Sequence, residues 1–326
     1  MKKLLTLLVA LMMALTLSAC GSKTEEPTVD EGTKTYTVGI VQLVQHPALD
    51  AATQGFKDAI KDAGLEVEFK EGNASNDSAN CITIVSGFLS DGVDLIMANA
   101  TAPLQASAAA TSDIPVLGTS VTDYATALEI DPATWNGTIG TNVSGTSDLA
   151  PLSEQADMIT ELFPEAKNVG ILYCSAEANS AYQANEITKM LEAKNLTVTS
   201  FAFSDTNDVT AVTEKACETS DVIYIPTDNT AASNTEAIAN VVLNAKVPVV
   251  AGEEGICSGC GVATLSISYY DLGYTTGQMA VKVLSEGSDI KTMPIEYAPN
   301  VTKKYNVANA KALGVTIPSD YVAIEG

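Results

Sequence analysis

The sequence contains no arginine, one histidine and one tryptophan. All 17 basic residues are lysines, they face 40 acidic residues, and the formal net charge is −23. Without arginine, no guanidinium can form the bidentate clamp that many proteins use on carboxylates. An anionic ligand group must therefore be bound by backbone N–H groups, hydroxyls or lysine. The acidic charge also disfavours nucleic acid as a partner and is typical of a chain that stays soluble outside the cell.

The N-terminus has the pattern of an export signal. Lys2 and Lys3 precede an apolar run that ends in Leu17-Ser18-Ala19-Cys20. This length and the small residues predict a signal peptide over residues 1–19 rather than a membrane span. The last four residues resemble a bacterial lipobox, so we expect Cys20 to be lipidated and to tether the chain to the extracytoplasmic face of the cell membrane. An uncleaved anchor or an ordinary signal peptide is the alternative.

Two regions follow the predicted lipidation site. Residues 20–35 contain little to bury, and we expect them to form the lipidated end and a flexible stalk. The remaining chain, roughly 290 residues, exceeds the usual size of a single hydrophobic core and predicts two lobes.

An internal repeat is the strongest organisational signal. Val38-Gly39-Ile40-Val41 matches Val169-Gly170-Ile171-Leu172, and the two glycines are 131 residues apart. Further segments match in the same order at nearly the same offset: 65–69 with 196–201, 93–97 with 220–224, and 114–118 with 247–251. One match would be chance, but four in order indicate two halves of one topology.

Each half alternates short β-branched segments with helical ones, such as residues 49–63 and 178–193. This alternation predicts right-handed crossovers, so the fold class is α/β, with two Rossmann-like lobes, parallel sheets, a hinge and a central cleft. We also predict a helix over residues 270–284, a strand over 293–298 and a short helix over 308–313. The expected lobes are residues 36–147 plus 270–297 and residues 148–269 plus 298–326.

Polar segments follow the predicted strands of both halves. Ligands of open parallel sheets bind beyond the carboxyl ends of the strands, so loops of two facing lobes should share one cleft. The candidate ligand-binding residues are His46, Leu49, Thr101, Thr119, Ser120, Ser147, Asp148, Asn179, Asp228, Asn229 and Glu253.

Four of these candidates have expected roles. We expect His46 to contact the ligand rather than catalyse, because no cysteine or serine nucleophile is recognisable beside it; an exposed loop histidine is the alternative. Thr101, at a helix start, and Ser120 would hold a carboxylate, and Asp228 would hold an ammonium group. Helix capping alone is the more common use of Thr101 and Asp228.

The cysteines and the missing motifs argue against catalysis. Cys257 and Cys260 are the only close pair, and between two predicted strands a surface-loop disulfide is favoured over a redox or metal site. Cys174 and Cys217 should be too far apart to bridge. The sequence has no P-loop, dinucleotide-binding glycine turn or nucleophile elbow, so we expect neither an enzyme nor a cofactor.

The chain resembles the substrate-binding lipoproteins of ABC importers, with the type I periplasmic-binding-protein fold, from about Tyr36 to Gly314. The segments that carry the resemblance are 46–50, 100–103, 121–123, 175–180, 226–230, 252–255 and 269–273. The resemblance implies a zwitterionic ligand, an aromatic amino acid, delivered to a permease and an ATPase on separate chains. Residues 125–139, with Trp135, depart from the family pattern and are expected at the rim of the cleft.

Other readings remain open at this point. The alternatives are a surface ligand sensor or adhesin-like lipoprotein without transport, and a receptor for a nucleoside or a sugar. An extracellular enzyme is the third class, and the absence of paired catalytic motifs disfavours it.

Overall fold

The structure is a computed structural model, and it describes residues 34–131, 133–298 and 300–324. The predicted signal peptide, Cys20 and nearly all of the stalk lie outside the described residues. Residues 35–326 group into one compact unit. It contains two sheets, which confirms the predicted α/β class with two lobes.

The first sheet has six strands in the order β11-β5-β4-β3-β1-β2, all paired in parallel. Their bounds are β1 Tyr36–Gln42, β2 Val67–Asn73, β3 Leu95–Asn99, β4 Val116–Val121, β5 Val143–Ser147 and β11 Glu296–Tyr297. The central strands are buried on both faces, as expected for a parallel sheet covered by helices.

The second sheet has seven strands in the order β13-β12-β10-β9-β8-β6-β7. Their bounds are β6 Asn168–Cys174, β7 Thr197–Phe203, β8 Val222–Ile225, β9 Val249–Ala251, β10 Ala263–Ile267, β12 Val301–Tyr305 and β13 Val322–Ala323. Strand β12 pairs antiparallel with β10, and the other pairs are parallel.

The internal repeat appears directly in the topology. The order β2-β1-β3-β4-β5 in the first sheet has the counterpart β7-β6-β8-β9-β10 in the second. An aspartate binds the start of the first strand in each half: Asp94 accepts from the Thr37 N–H at 2.8 Å, and Asp221 accepts from the Lys167 and Asn168 N–H groups at 2.9 and 2.8 Å. The two halves therefore share local hydrogen bonding as well as strand order.

Twelve α-helices are present in the described residues. They are α1 Pro47–Asp62, α2 Ser78–Asp91, α3 Thr101–Ala110, α4 Tyr124–Ala127, α5 Leu152–Leu162, α6 Ala178–Glu192, α7 Val209–Thr219, α8 Asn229–Ala232, α9 Thr235–Ala245, α10 Glu254–Gly259, α11 Tyr269–Leu284 and α12 Val307–Leu313. A 3₁₀ turn covers Ile290–Thr292. None of the helices described here is long and apolar enough to cross a bilayer.

Helix α11 returns the chain to the first lobe by packing closely on α1. A Cβ added to Gly55 would lie 2.1 Å from the Tyr270 carbonyl oxygen, and one added to Gly273 would lie 1.9 Å from the Ala52 carbonyl oxygen. Only glycine permits this approach of the two backbones. The contact fixes the N-terminal ends of α1 and α11, which both reach the cleft.

The chain passes between the two sheets three times: after β5, after β10 and after β11. Several connections between the same two bodies restrict their relative motion to bending about these segments. The boundaries at 147, 269 and 297 remain predictions, and they are close to these crossings.

Some elements differ from the sequence prediction. The strand expected over residues 293–298 is only Glu296–Tyr297, and residues 293–295, between it and the 3₁₀ turn, belong to no regular element. Antiparallel β12 was not predicted. Thr119, Ser120 and Ser147, expected after the ends of predicted strands, belong to strands β4 and β5 themselves.

Candidate functional site

A narrow cavity lies between the carboxyl ends of the two sheets. Its lining comes from both halves of the chain and from the crossing segments: His46, Leu49, Ser120, Asp148, Asn179, Thr227, Asp228, Asn229, Ala232, Glu253 and Tyr269. Three carboxylates and no lysine line it, so its electrostatic character favours a cationic group.

Helix α1 positions His46 and Leu49. His46 is the N-cap residue, and its carbonyl accepts from the Asp50 N–H at 3.0 Å. The buried Asn99 amide, at the end of β3, donates to the Leu49 carbonyl at 2.8 Å and contacts the Thr53 hydroxyl at 2.9 Å. These bonds hold the first turn of α1 against the strand ends, so both side chains are fixed before a ligand arrives.

Ser120 owes its position to a bulge in β4. The register with β5 shifts between Gly118 and Val121, and Ser120 has a φ of +55°, in the left-handed region. A non-glycine residue in this region costs free energy, and such strain concentrates at functional sites. The Ser120 side chain is 7% exposed, and its hydroxyl has no hydrogen-bond partner among the described residues.

On the opposite wall, Glu177 organises the start of α8. One carboxylate oxygen accepts from the Asn229 N–H at 3.0 Å and the Asn229 amide at 2.7 Å. The other accepts from the Thr230 N–H and hydroxyl at 2.8 and 2.7 Å. The Asn179 amide donates to the same carboxylate at 3.3 Å, and five donors on one carboxylate make this wall rigid. Glu177 was not a candidate from the sequence, because it acts through its neighbours.

Asp228 and Glu253 cap short helices and also line the cavity. Asp228 accepts from the Cys174 N–H at 2.6 Å and the Ala231 N–H at 2.8 Å; Glu253 accepts from the Gly255 N–H at 2.6 Å and from the Ile256 N–H. Burial raises the pKa of Asp228, and repulsion from Glu177 adds to this shift. Burial raises the pKa of Glu253 to about 7. A cation between them would reverse both shifts.

The crossing segments supply a third carboxylate. Asp148, which follows β5, accepts from the Tyr269 hydroxyl at 2.8 Å and from the Thr122 hydroxyl at 3.0 Å. Tyr269 begins α11, so this bond joins two of the three crossings. Burial raises the pKa of Asp148, and the two hydrogen bonds oppose that shift.

Direct hydrogen bonds join the two lobes around the cavity. The Gln183 amide donates to the Thr227 hydroxyl at 2.5 Å and to the Thr122 hydroxyl, on the other lobe, at 3.2 Å. The Asn76 amide donates to the Thr230 hydroxyl at 2.9 Å. The structure therefore represents a conformation in which the lobes touch across the cleft.

The structure brings together most of the predicted site residues. The cavity lining contains His46, Leu49, Ser120, Asp148, Asn179, Asp228, Asn229 and Glu253. Their binding roles remain predictions. Thr227, Ala232 and Tyr269 also line the cavity and were not candidates, although Tyr269 follows the end of β10 by two residues.

Three candidates lie elsewhere. Thr101 lines a separate interlobe cavity with Glu177 and Ser204. The Thr119 hydroxyl accepts from Thr146 at 3.3 Å, and the Ser147 hydroxyl donates to the Thr122 carbonyl at 2.8 Å. These contacts are internal to the first lobe, and the cavity does not reach them.

One other expectation is wrong. Cys257 and Cys260 lie in and directly after α10, buried and with free thiols, instead of forming a disulfide in a surface loop. The rim position of segment 125–139 remains a prediction: Trp135 and Ile139 pack against the hydrophobic core of the first lobe, and helix α4, Tyr124–Ala127, contacts α6 of the second lobe. Within the described ranges, no group of three potential ligand side chains is arranged for a metal ion.

Comparison with known proteins gives consistent results. A family model for ABC transporter substrate binding proteins matches residues 37–324. A Clostridioides difficile protein named tyrosine-binding protein is 33% identical over 324 residues, which cover 96% of this chain and 92% of the relative.

Solved structures show the same similarity. An ABC domain from Streptococcus pneumonia in complex with L-Trp is 31% identical with a TM-score of 0.83, covering 88% of this chain and 97% of that one. The ligand-free, open structure of a Clostridium difficile substrate-binding protein with adhesive properties is 34% identical, yet its TM-score is 0.68, at coverages of 89% and 99%. Periplasmic sugar-binding neighbours of much lower identity share the fold alone.

Proposed function

Because the chain belongs to the family of ABC transporter substrate-binding proteins, we propose that it captures an aromatic amino acid in its interlobe cavity. The amino acid would then pass to a permease and an ATPase on separate chains. The observation that carries the proposal is a cavity with three buried carboxylates and an unpartnered serine hydroxyl, closed between two lobes. A zwitterionic amino acid has an ammonium group that can bind the carboxylates and a carboxylate that can accept from the serine hydroxyl.

The ammonium group would bind among Asp148, Asp228 and Glu253. Desolvated carboxylates gain most from a cation, because the interaction is strong in a low-dielectric site and offsets the cost of burying their charge. The ligand carboxylate would accept from the Ser120 hydroxyl, so Ser120 replaces the arginine that the sequence lacks. Thr101, predicted beside it, lines a different cavity and is not included.

The ring of the ligand would lie against Leu49 and Ala232, the aliphatic side chains of the lining. Apolar walls with a few placed polar groups are typical of small-molecule sites. Neither a nucleoside nor a sugar carries the ammonium group that three carboxylates favour. The printed names of the relatives, tyrosine-binding protein and a complex with L-Trp, support the same class of ligand.

Binding would close the cleft without turnover. The better superposition on the L-Trp complex than on the open, ligand-free structure supports a ligand-stabilised closed form. Tethering through Cys20 would keep the protein beside its permease at the extracytoplasmic face.

Binding is tested by a thermal-shift screen of the 20 amino acids, nucleosides and sugars, followed by calorimetry. A ligand that binds only the folded form raises its melting temperature. We expect the largest shifts from aromatic amino acids, with saturable binding of one molecule per chain. Stabilisation by sugars or nucleosides alone would refute the proposal.

The transport role needs a separate experiment. Deletion of the gene should abolish uptake of the bound amino acid, and a Cys20→Ser chain should be released from membranes and restore little uptake. Normal uptake of the amino acid in the deletion strain would favour the hypothesis of a surface sensor.

A further inference from the structure

The tautomer of His46 follows from its neighbour Asn229. The Asn229 amide nitrogen donates to Glu177 at 2.7 Å, so its amide oxygen points to the other side. That oxygen lies 3.2 Å from His46 Nε2. An amide oxygen only accepts hydrogen bonds, so Nε2 must carry the hydrogen. Glu177 therefore fixes the ring through Asn229, and His46 Nδ1 is left with its lone pair.

This lone pair is buried and has no partner. The His46 side chain is 7% exposed and lines the cavity, and Nδ1 makes no hydrogen bond within the described residues. Burial also lowers the pKa of His46, which keeps the ring neutral. A buried acceptor without a donor costs free energy, which a ligand group with an O–H or N–H would recover.

The ammonium group of an amino acid is not the natural partner for this nitrogen. Asp148, Asp228 and Glu253 line the same cavity, and a charged carboxylate binds a cation more strongly than a neutral imidazole does. The ligand carboxylate carries no hydrogen to donate. Of the three parts of an aromatic amino acid, this leaves the ring.

We infer that His46 makes the site selective for aromatic amino acids whose ring carries a hydrogen-bond donor, the phenolic O–H of tyrosine or the indole N–H of tryptophan, over phenylalanine. The inference rests on the proposed function and narrows its substrate class. Sites built to bond a substrate hydroxyl reject analogues that lack it, because the protein group then stays buried and unpaired.

Calorimetry with four phenylalanine analogues tests the selectivity. Tyrosine and 4-aminophenylalanine carry a donor at the ring end; phenylalanine and 4-fluorophenylalanine do not, although fluorine fills nearly the space of the hydroxyl. We expect the donor pair to bind about 10- to 100-fold more tightly than the other pair. Tryptophan, measured alongside, should bind with the donor group.

Two variants distinguish the contribution of His46 to ligand selectivity from that of the other residues of the site. His46→Phe keeps the ring and removes both nitrogens, so the ratio of tyrosine to phenylalanine affinity should fall to near one. Leu49→Val, on the same helix and in the same cavity, has no polar role and should weaken both ligands alike. A selectivity ratio that survives in His46→Phe would overturn the inference.

Because His46 is the only histidine of the chain, ¹⁵N-histidine NMR of protein without a histidine tag reports this ring alone. We expect the Nε2–H tautomer in the ligand-free protein and an upfield shift of Nδ1 on addition of tyrosine but not of phenylalanine. A ring protonated at Nδ1, or equal shifts with both ligands, would refute it. Tight and equal binding of all four analogues would refute this inference alone. If no aromatic amino acid bound, the proposed function would be refuted.

Discussion

The two lobes share a topology but present different surfaces to the cleft. The second lobe contributes carboxylates that backbone N–H groups already hold: Asp228 by two and Glu253 by two. The first lobe contributes neutral groups, and two of their polar atoms, the Ser120 hydroxyl and His46 Nδ1, have no partner in the described structure. A duplicated fold has thus diverged into a preorganised acidic wall and a wall whose bonds a ligand would complete.

This difference predicts that the two walls fail in different ways when they are altered. Loss of a group on the acidic wall leaves a buried cation of the ligand uncompensated. Loss of an unpartnered group on the neutral wall removes a ligand bond without disturbing the protein. The following experiments are ordered by the size of the expected effect.

Asp228→Asn should cause the largest loss of affinity for the amino acid. The variant keeps one acceptor oxygen and nearly the same shape, but it removes the charge, and truncating one member of a buried charge pair costs about 2–5 kcal/mol. Asp221→Asn controls for the loss of a carboxylate charge on the second lobe, since Asp221 is exposed and its Oδ2 alone accepts from two N–H groups. Calorimetry giving equal affinity for the Asp228 variant and the wild type would remove Asp228 from the site.

Ser120→Ala should weaken binding about 10- to 100-fold, because a hydrogen bond to a charged group contributes about 1.5–3 kcal/mol. The ligand-free melting temperature should stay close to that of the wild type, because the hydroxyl makes no bond within the protein. Ser107→Ala is a close control: this hydroxyl, in α3, is also buried and unpartnered but does not line the cavity. Equal effects of the two variants on affinity would contradict the assignment.

The acidic wall also predicts a pH dependence. Burial raises the pKa of Glu253 from 4.5 to about 7 and raises those of Asp148 and Asp228. An ammonium group requires ionised partners, so affinity should fall by up to about tenfold per pH unit between pH 8 and pH 6, with proton release on binding. Calorimetry in buffers of different ionisation enthalpy measures both quantities.

Stability of the ligand-free protein should change in the opposite direction. Between pH 4.5 and pH 7 the folded state holds a proton on Glu253 that the unfolded state has lost, so this contribution to stability declines as pH rises through that range. Glu253→Gln should flatten both profiles. An affinity that is constant from pH 8 to pH 6 would argue against a carboxylate-bound ammonium.

The smallest effect is expected away from the cavity. Asn76→Ala removes the interlobe hydrogen bond to Thr230, which belongs to the closed form only, and should lower affinity by a few-fold, in line with about 1 kcal/mol for such a bond. Asn244→Ala is the control, because Asn244 bonds the Asn240 carbonyl within one helix. If both variants changed the affinity equally, the Asn76–Thr230 hydrogen bond would not contribute to lobe closure.

The sequence predicted the parts of the fold that repeat, because alternation and glycine spacing are local signals. It also predicted His46 and Asp228, which follow parallel strands directly. Tyr269 also follows a parallel strand, β10, but it was not named as a candidate. Antiparallel β12 was missed because Val301–Tyr305, with its two lysines and partial burial, has little apolar alternation.

Other features depend on tertiary structure alone. The prediction of a surface loop for Cys257 and Cys260 failed because β9 ends at Ala251 and Glu253 then caps helix α10, and the cysteines in and directly after that helix are buried. The unpartnered state of the Ser120 hydroxyl results from a bulge and a positive φ, neither of which leaves a clear pattern in the sequence. The role of Glu177 is evident only from the five donors around its carboxylate.

Closure of the two walls on one amino acid is the central claim, and the distance across the cleft tests it most directly. Ser78 and Asp205 are exposed, lie on opposite lobes and line the same interlobe cavity. Spin labels can be attached there through non-natural residues, since the chain has six cysteines. Pulsed electron–electron double resonance should show that the distance between the two labels shortens as tyrosine is added. The change should saturate at the tyrosine concentrations that the calorimetric Kd predicts. Tyrosine binding with an unchanged distance distribution would contradict the account.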